Sequence, residues 1–96
     1  MILIDPTREY EKGPRGWKLW CHMATDDLSA QGFQELHRMA ERLGLPRRAF
    51  QEHPRHPHYD LSPDRRALAV ELGAEQVSSK ELVRRCSLRE DPQELR

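Results

Sequence analysis

No stretch of the chain approaches the roughly 18–20 consecutive apolar residues that a membrane-spanning helix needs, so no membrane partner is expected. The apolar run near the N-terminus, Ile2-Leu3-Ile4, is too short for a signal peptide and has no basic lead-in. An excess of charge of either sign is lacking too. Sixteen Lys and Arg face sixteen Asp and Glu. Residues 1–48 carry eight basic and seven acidic side chains, and residues 49–96 carry eight and nine. Such a balance gives no long-range attraction to nucleic acid or to an anionic membrane. Cysteine is scarce: Cys21 and Cys86 form neither a CxxC pair nor a disulfide framework. No disulfide between them is expected, and a reducing, cytoplasmic location follows. Apolar residues are 36% of the chain and charged residues 33%, lean material for a core.

What remains is a chain of 96 residues, the length of one domain. A domain of this size buries only about two-thirds of its unfolded surface, so its stability margin is thin and a homodimer would help. Ile2-Leu3-Ile4, stopped by Asp5-Pro6, reads as a buried strand. Residues 7–16, with two glycines, a proline and five charges, read as a loop. Residues 17–24 alternate, with Leu19, Cys21 and Met23 on one face and Trp20, His22 and Ala24 on the other, which makes a strand. Thr25-Asp26-Asp27 offers cap oxygens for a helix reaching about Leu43. Its stripe is Phe33, Leu36, Ala40 and Leu43, and Gly44 is its stop.

A short extended piece over residues 47–51 is expected, then a Pro/His loop over residues 53–57 and an extended exit, His58-Tyr59-Asp60-Leu61. Ser62-Pro63 caps a second helix over residues 62–73 that ends at Gly73 and turns Leu68 and Leu72 to one side. A short last strand is expected from Glu75 to Ser78, through Val77. Ser78-Ser79-Lys80-Glu81 fits a capping box for a third helix over residues 79–86, with Ser79, Leu82, Val83 and Cys86 as its stripe. The fold class is therefore α/β or α+β: a small single domain over residues 1–86, with a short mixed sheet of three to four strands covered by about three helices. Residues 87–96 form a charged tail that frays.

Five histidines in so short a chain is a surplus. His53, His56 and His58 form a tract that could supply metal ligands, though no cysteine lies near it in sequence, and a solvated loop explains His53 and His56 equally well. His58 and Asp60 fall on one face of an extended segment, with Tyr59 opposite. An imidazole and a carboxylate so placed can share a proton, bind a metal jointly or orient a water; the alternative is that they cap the next helix. His22 in its strand and His37 at the edge of the first helical stripe are border histidines, which could be satisfied core residues or site residues. Asp5 ends an apolar strand, where ligands of open α/β sheets gather. Arg47-Arg48 and Arg65-Arg66 are local cationic pairs suited to phosphate or carboxylate.

These residues, in this order, resemble a known family. Met1-Ile2-Leu3-Ile4-Asp5-Pro6, Trp20-Cys21-His22-Met23, Glu35-Leu36-His37, Arg42-Leu43-Gly44, Arg47-Arg48, His58-Tyr59-Asp60, Arg66-Ala67-Leu68-Ala69-Val70 and Gly73-Ala74 resemble the domain of unknown function family number 4031, small proteins of bacteria and phages. The resemblance spans roughly residues 1–86. That family carries no assigned activity, so the resemblance implies positions and not a reaction. Its pattern falls on Asp5, His22, His37, His58, Tyr59, Asp60 and Arg66. His53 and His56 lie in a stretch longer than in many relatives, which counts against them.

Two function classes follow. The first is a polar site of Asp5, His22, His37, His58 and Asp60, with Arg48, Tyr59 and Arg66 holding a small anionic ligand. In that class His22, His37, His58 and Asp60 are the candidate ligands of a divalent metal, and the chemistry is metal-assisted hydrolysis or binding of a phosphoester or nucleotide. The three segments that carry His22, His37 and His58 are expected to bring those imidazoles together. The second class is a non-catalytic module that binds a protein, a nucleotide or its own copy through Trp17, Trp20 and exposed arginines. Converging polar side chains in a concave pocket favour the first, and a flat aromatic patch favours the second.

Overall fold

The structure, a computed structural model, describes residues 1–9 and 18–88. Three helices and a mixed sheet make an α+β fold, and five strands are present among the described residues. The chain runs β1 (Ile2–Ile4), β2 (Arg8–Glu9), β3 (Leu19–Thr25), α1 (Ala30–Arg42), a 3-10 turn (Arg47–Ala49), β4 (Tyr59–Leu61), α2 (Pro63–Glu71), β5 (Glu75–Gln76) and α3 (Ser79–Cys86).

The long strand β3 organises the sheet. β1 pairs antiparallel with it, Ile4 opposite Met23, and β4 pairs antiparallel with it, Met23 opposite Tyr59. Met23 is thus matched on both sides, so β1 and β4 flank β3 on opposite edges. β2 pairs with the start of β3 through Arg8 and Trp20, and β5 lies parallel to β1. In β3, Cys21 and Met23 face α1 and α2 within the larger core, which contains Ile4, Leu36, Ala40, Tyr59, Leu61 and Ala69. The opposite face carries Leu3 and Ala24 against Leu82 and Cys86 of α3. Helices therefore cover both faces. Cys21 and Cys86 are free and buried in different cores on opposite sides of the sheet.

The helix boundaries have local causes. Ser62 accepts from the Arg65 N–H ahead of Pro63, and Ser78 accepts from the Glu81 N–H, each satisfying a donor that a helix start leaves unpaired. Gly44 and Gly73, at φ 81° and 104°, take the left-handed conformation that ends α1 and α2.

Five expectations need correction. The cap of α1 is Ser29, whose side chain accepts from Gly32 N–H, because Thr25 is still paired to Ile2 in the sheet. Arg8–Glu9 is a strand inside the span read as loop; its two exposed polar residues show no alternation. Residues 47–49 form a 3-10 turn after Pro46 instead of a strand, although Gln51 bridges His58. In α2 the buried residue is Ala69, while Leu68 is 38% exposed, since the helix lies against the sheet one residue round from the expected stripe. Val83, similarly, is exposed on α3. Trp17 and residues 10–16 lie outside the described residues, as do residues 89–96 of the expected tail. Leu88 donates its N–H to the Arg55 carbonyl, so the part of that tail just beyond α3 is docked.

Candidate functional site

Strand register builds the site. His22 lies opposite Asp60 in the β3–β4 pair, and the Asp5 N–H reaches the His22 carbonyl one step beyond β1. Residues directly opposite in a sheet share a face. Asp5, His22 and Asp60 therefore project to the α3 side, joined by His58 from the start of β4.

Asp5 is 1% exposed. Its Oδ1 accepts the His22 backbone N–H at 2.7 Å, and its Oδ2 meets His22 Nδ1 at 3.1 Å. Oδ2 also accepts from Ser79 Oγ, in the first turn of α3, at 2.7 Å. Burial pushes the Asp5 carboxyl up, but the hydrogen bonds from the His22 ring, the His22 backbone and Ser79 outweigh it and hold the pKa below the ordinary 3.8. A carboxylate can only accept. His22 Nδ1 therefore donates to Asp5, and in the neutral form of the ring the lone pair lies on Nε2.

His58 is fixed in the same sense. Its Nδ1 lies 2.6 Å from the His56 carbonyl, an acceptor, so Nδ1 donates. Its Nε2 lies 3.4 Å from Asp60 Oδ1, which is ion-pair contact and not a formed hydrogen bond. Asp60 Oδ1 is buried and has no hydrogen-bond partner among the described residues, while Oδ2 accepts from Gln51 Nε2 at 3.0 Å. Burial pushes the His58 pKa down; the Asp60 carboxylate and the His56 carbonyl, with a smaller contribution from the Asp5 charge, overcome this and raise it above 6.5. A neutral His58 would aim a lone pair at a carboxylate. The pair needs positive charge between its members, as a proton or as a metal ion.

His22, His58 and Asp60 each offer one ligand atom within 4.8 Å of the other two, and the two imidazole rings stand edge to face at 5.1 Å. Both histidines are held through Nδ1 by an outer acceptor, Asp5 or the His56 carbonyl. That is the arrangement that orients metal-binding imidazoles and strengthens them as ligands. His22 and His58 line a cavity of about 220 Å³ whose other polar residues are Asp5, His53, His56 and Ser79, while Asp60 lies behind them with its Oδ1 buried.

Other expected site residues lie elsewhere. His37 is on the opposite side of the sheet, its Nδ1 2.7 Å from the Tyr59 hydroxyl and its ring edge-on to Phe50. The structure therefore does not bring His37 to His22 and His58, because α1 packs on the face that β4 gives to Tyr59. Tyr59 itself is fully buried and its hydroxyl is engaged by His37. Arg66 donates from Nε to the Asp5 carbonyl at 2.8 Å and reaches Gln76; it ties α2 to the end of β1 and does not line the cavity. Arg48 is exposed on the 3-10 turn, away from the cavity. Trp20 is 8% exposed and unavailable as a surface anchor.

Conversely, His53 and His56, set aside in the sequence, line the cavity. His53 Nδ1 accepts the Arg55 and His56 N–H groups, and His56 Nδ1 contacts Ser87 Oγ at 2.8 Å. Their dense spacing with His58 was the signal. Ser79 gave none beyond its place in a capping box. Cys86 also lines the cavity, but burial pushes its thiol up to about 12, which keeps it protonated and unreactive.

The family model for protein of unknown function DUF4031 matches residues 2–89. The chain belongs to that family. No curated protein and no solved structure matches it.

Proposed function

We propose that this family member binds a divalent metal ion through His22, His58 and Asp60 and uses it to activate water for hydrolysis. One observation carries the reading: two imidazoles pre-set by Nδ1 hydrogen bonds converge with a carboxylate whose buried Oδ1 lacks a hydrogen-bond partner among the described residues. A buried carboxylate oxygen without a hydrogen bond is costly, and a cation held between it and His58 would satisfy it. Two nitrogens and an oxygen suit Zn²⁺, Co²⁺ or Fe²⁺ more than Mg²⁺. Three protein ligands leave positions for water and substrate, as catalytic sites do, and a bound ion lowers the pKa of its water.

Asp5, His22, His53, His56, His58 and Ser79 converge in a concave pocket, and the buried Trp20 forms no aromatic patch. Both points support a site over a docking module. The arginines once assigned to an anionic ligand stand outside the cavity, so the metal is the principal positive charge available to a substrate. Calorimetric titration with Zn²⁺ tests the reading. His58→Ala should weaken binding at least tenfold, and His53→Ala should leave it within about twofold, the span expected for losing a ligand against losing a wall residue. Equal losses, or none, would reject the site.

A further inference from the structure

We infer that the substrate of this site is a small uncharged acyl compound, an ester or amide with a compact apolar group, and not a phosphoester or nucleotide. The inference rests on the metal site proposed above and narrows what that site acts on.

Size is the first argument. The cavity of about 220 Å³ lies below the roughly 300–1,000 Å³ of pockets for drug-sized ligands. A compact ligand fits that space better than a whole nucleotide does. Its walls are the second argument. Facing the histidines are Ala24, Pro57, Leu82, Val83 and Cys86, a surface that an alkyl or aryl group would cover and a charged group would not.

Charge is the third. Asp5 and Asp60 bring two negative charges, which a divalent ion neutralises. No lysine or arginine lines the cavity among the described residues. A phosphoester dianion would meet no arginine or lysine there, only the histidines and the metal, with Ala24, Pro57, Leu82, Val83 and Cys86 as the rest of the wall, and its charge would be poorly compensated. A carbonyl group carries no such charge. Its oxygen can lie against the metal, which stabilises the negative charge that develops there.

The reaction would then be a hydrolysis. A water oxygen would bond to the carbonyl carbon as the carbonyl π pair moves onto the carbonyl oxygen, and the metal held by His22, His58 and Asp60 would supply the acidity that activates the water. Return of that pair breaks the bond to the leaving oxygen or nitrogen, which takes up the proton given up by the water. One water is consumed, and a carboxylic acid and an alcohol or amine are released.

The test uses 4-nitrophenyl acetate and 4-nitrophenyl phosphate, which share a chromophore and differ mainly in charge. The full chain is loaded with Zn²⁺, and metal binding is measured separately by calorimetry. Zinc should raise acetate hydrolysis at least tenfold over the chelated protein and leave phosphate hydrolysis at the chelated rate. Val83→Phe, a substitution at an exposed wall position away from the metal, should lower kcat/KM for the acetate at least fivefold with zinc affinity unchanged. If zinc binds but the phosphate is cleaved faster, or neither ester is cleaved above the chelated rate, this inference is overturned while the metal site stands. Failure of zinc to bind overturns both.

Discussion

Replacing Asp5 with asparagine changes almost no volume but removes a charge from the best-connected side chain of the site. The asparagine carbonyl can take the place of Oδ1 and keep the bond from the His22 N–H. Its NH₂ then stands where Oδ2 accepted from His22 Nδ1 and Ser79 Oγ. Both bonds can re-form only with reversed polarity, and for the ring this means moving the proton from Nδ1 to Nε2. Three charge-assisted bonds at about 1.5–3 kcal/mol become neutral ones at about 0.5–1.5 kcal/mol. Relief from burying a charge offsets part of that loss, so a net destabilisation of about 2 kcal/mol is expected. A domain with about 5–15 kcal/mol to lose stays folded.

The protonated Nε2 can no longer bind a metal, and zinc affinity should fall about 10–100-fold although no ligand has been touched. Urea unfolding in chelator and calorimetric titration of the same samples read the two effects. The Asp5 pKa lies below 3.8 in the folded chain. Its stabilisation is therefore present above 3.8 and lost as pH falls through the folded value, and Asp5→Asn should flatten that acid limb. A variant destabilised as expected but binding zinc like the native chain would refute the orienting role of Asp5.

Other outcomes follow from the same geometry. Ser62→Ala and Ser78→Ala each remove a cap bond and should cost about 1 kcal/mol in chemical denaturation; no change in either would argue against these helix starts. Gly32→Ala should destabilise, although alanine in an exposed helix interior normally gains about 1 kcal/mol over glycine, because its Cβ would fall against the Asp27 carbonyl and side chain. A higher melting temperature for that variant would contradict the packing. Burial, and secondarily the Arg47 charge, holds the His37 pKa below 6.5. Its contribution to stability should thus decline as pH falls from about 6.5 towards the folded value, since the unfolded chain binds that proton first. His37→Gln should remove that contribution, seen as a difference between the two pH profiles, and identical profiles would count against it.

Much of the fold was legible because its signals are local. Ser62-Pro63, Ser78 with Glu81, and the glycines at 44 and 73 mark boundaries within a few residues of themselves. The alternation of β3 correctly assigned Cys21 and Met23 to one core and Ala24 to the other. What escaped was non-local. Arg8–Glu9 is a strand only because β3 continues past β1 to pair with it. That His22 meets Asp60 and not His37 depends on the β3–β4 register and on which face α1 covers. Periodicity along one segment holds neither fact. Asp5, His22, His58 and Asp60 were readable as chemistry-bearing types, and their grouping came from pairing between strands.

The central claim is that His22, His58 and Asp60 hold one metal ion, and anomalous diffraction from zinc-soaked crystals tests it most directly. The account predicts a single strong peak about 2.0–2.2 Å from His22 Nε2, His58 Nε2 and an Asp60 carboxylate oxygen, with Asp5 still bonded to His22 Nδ1. A peak held by His53 and His56 alone, or no peak between His58 and Asp60 at saturating zinc, would contradict it.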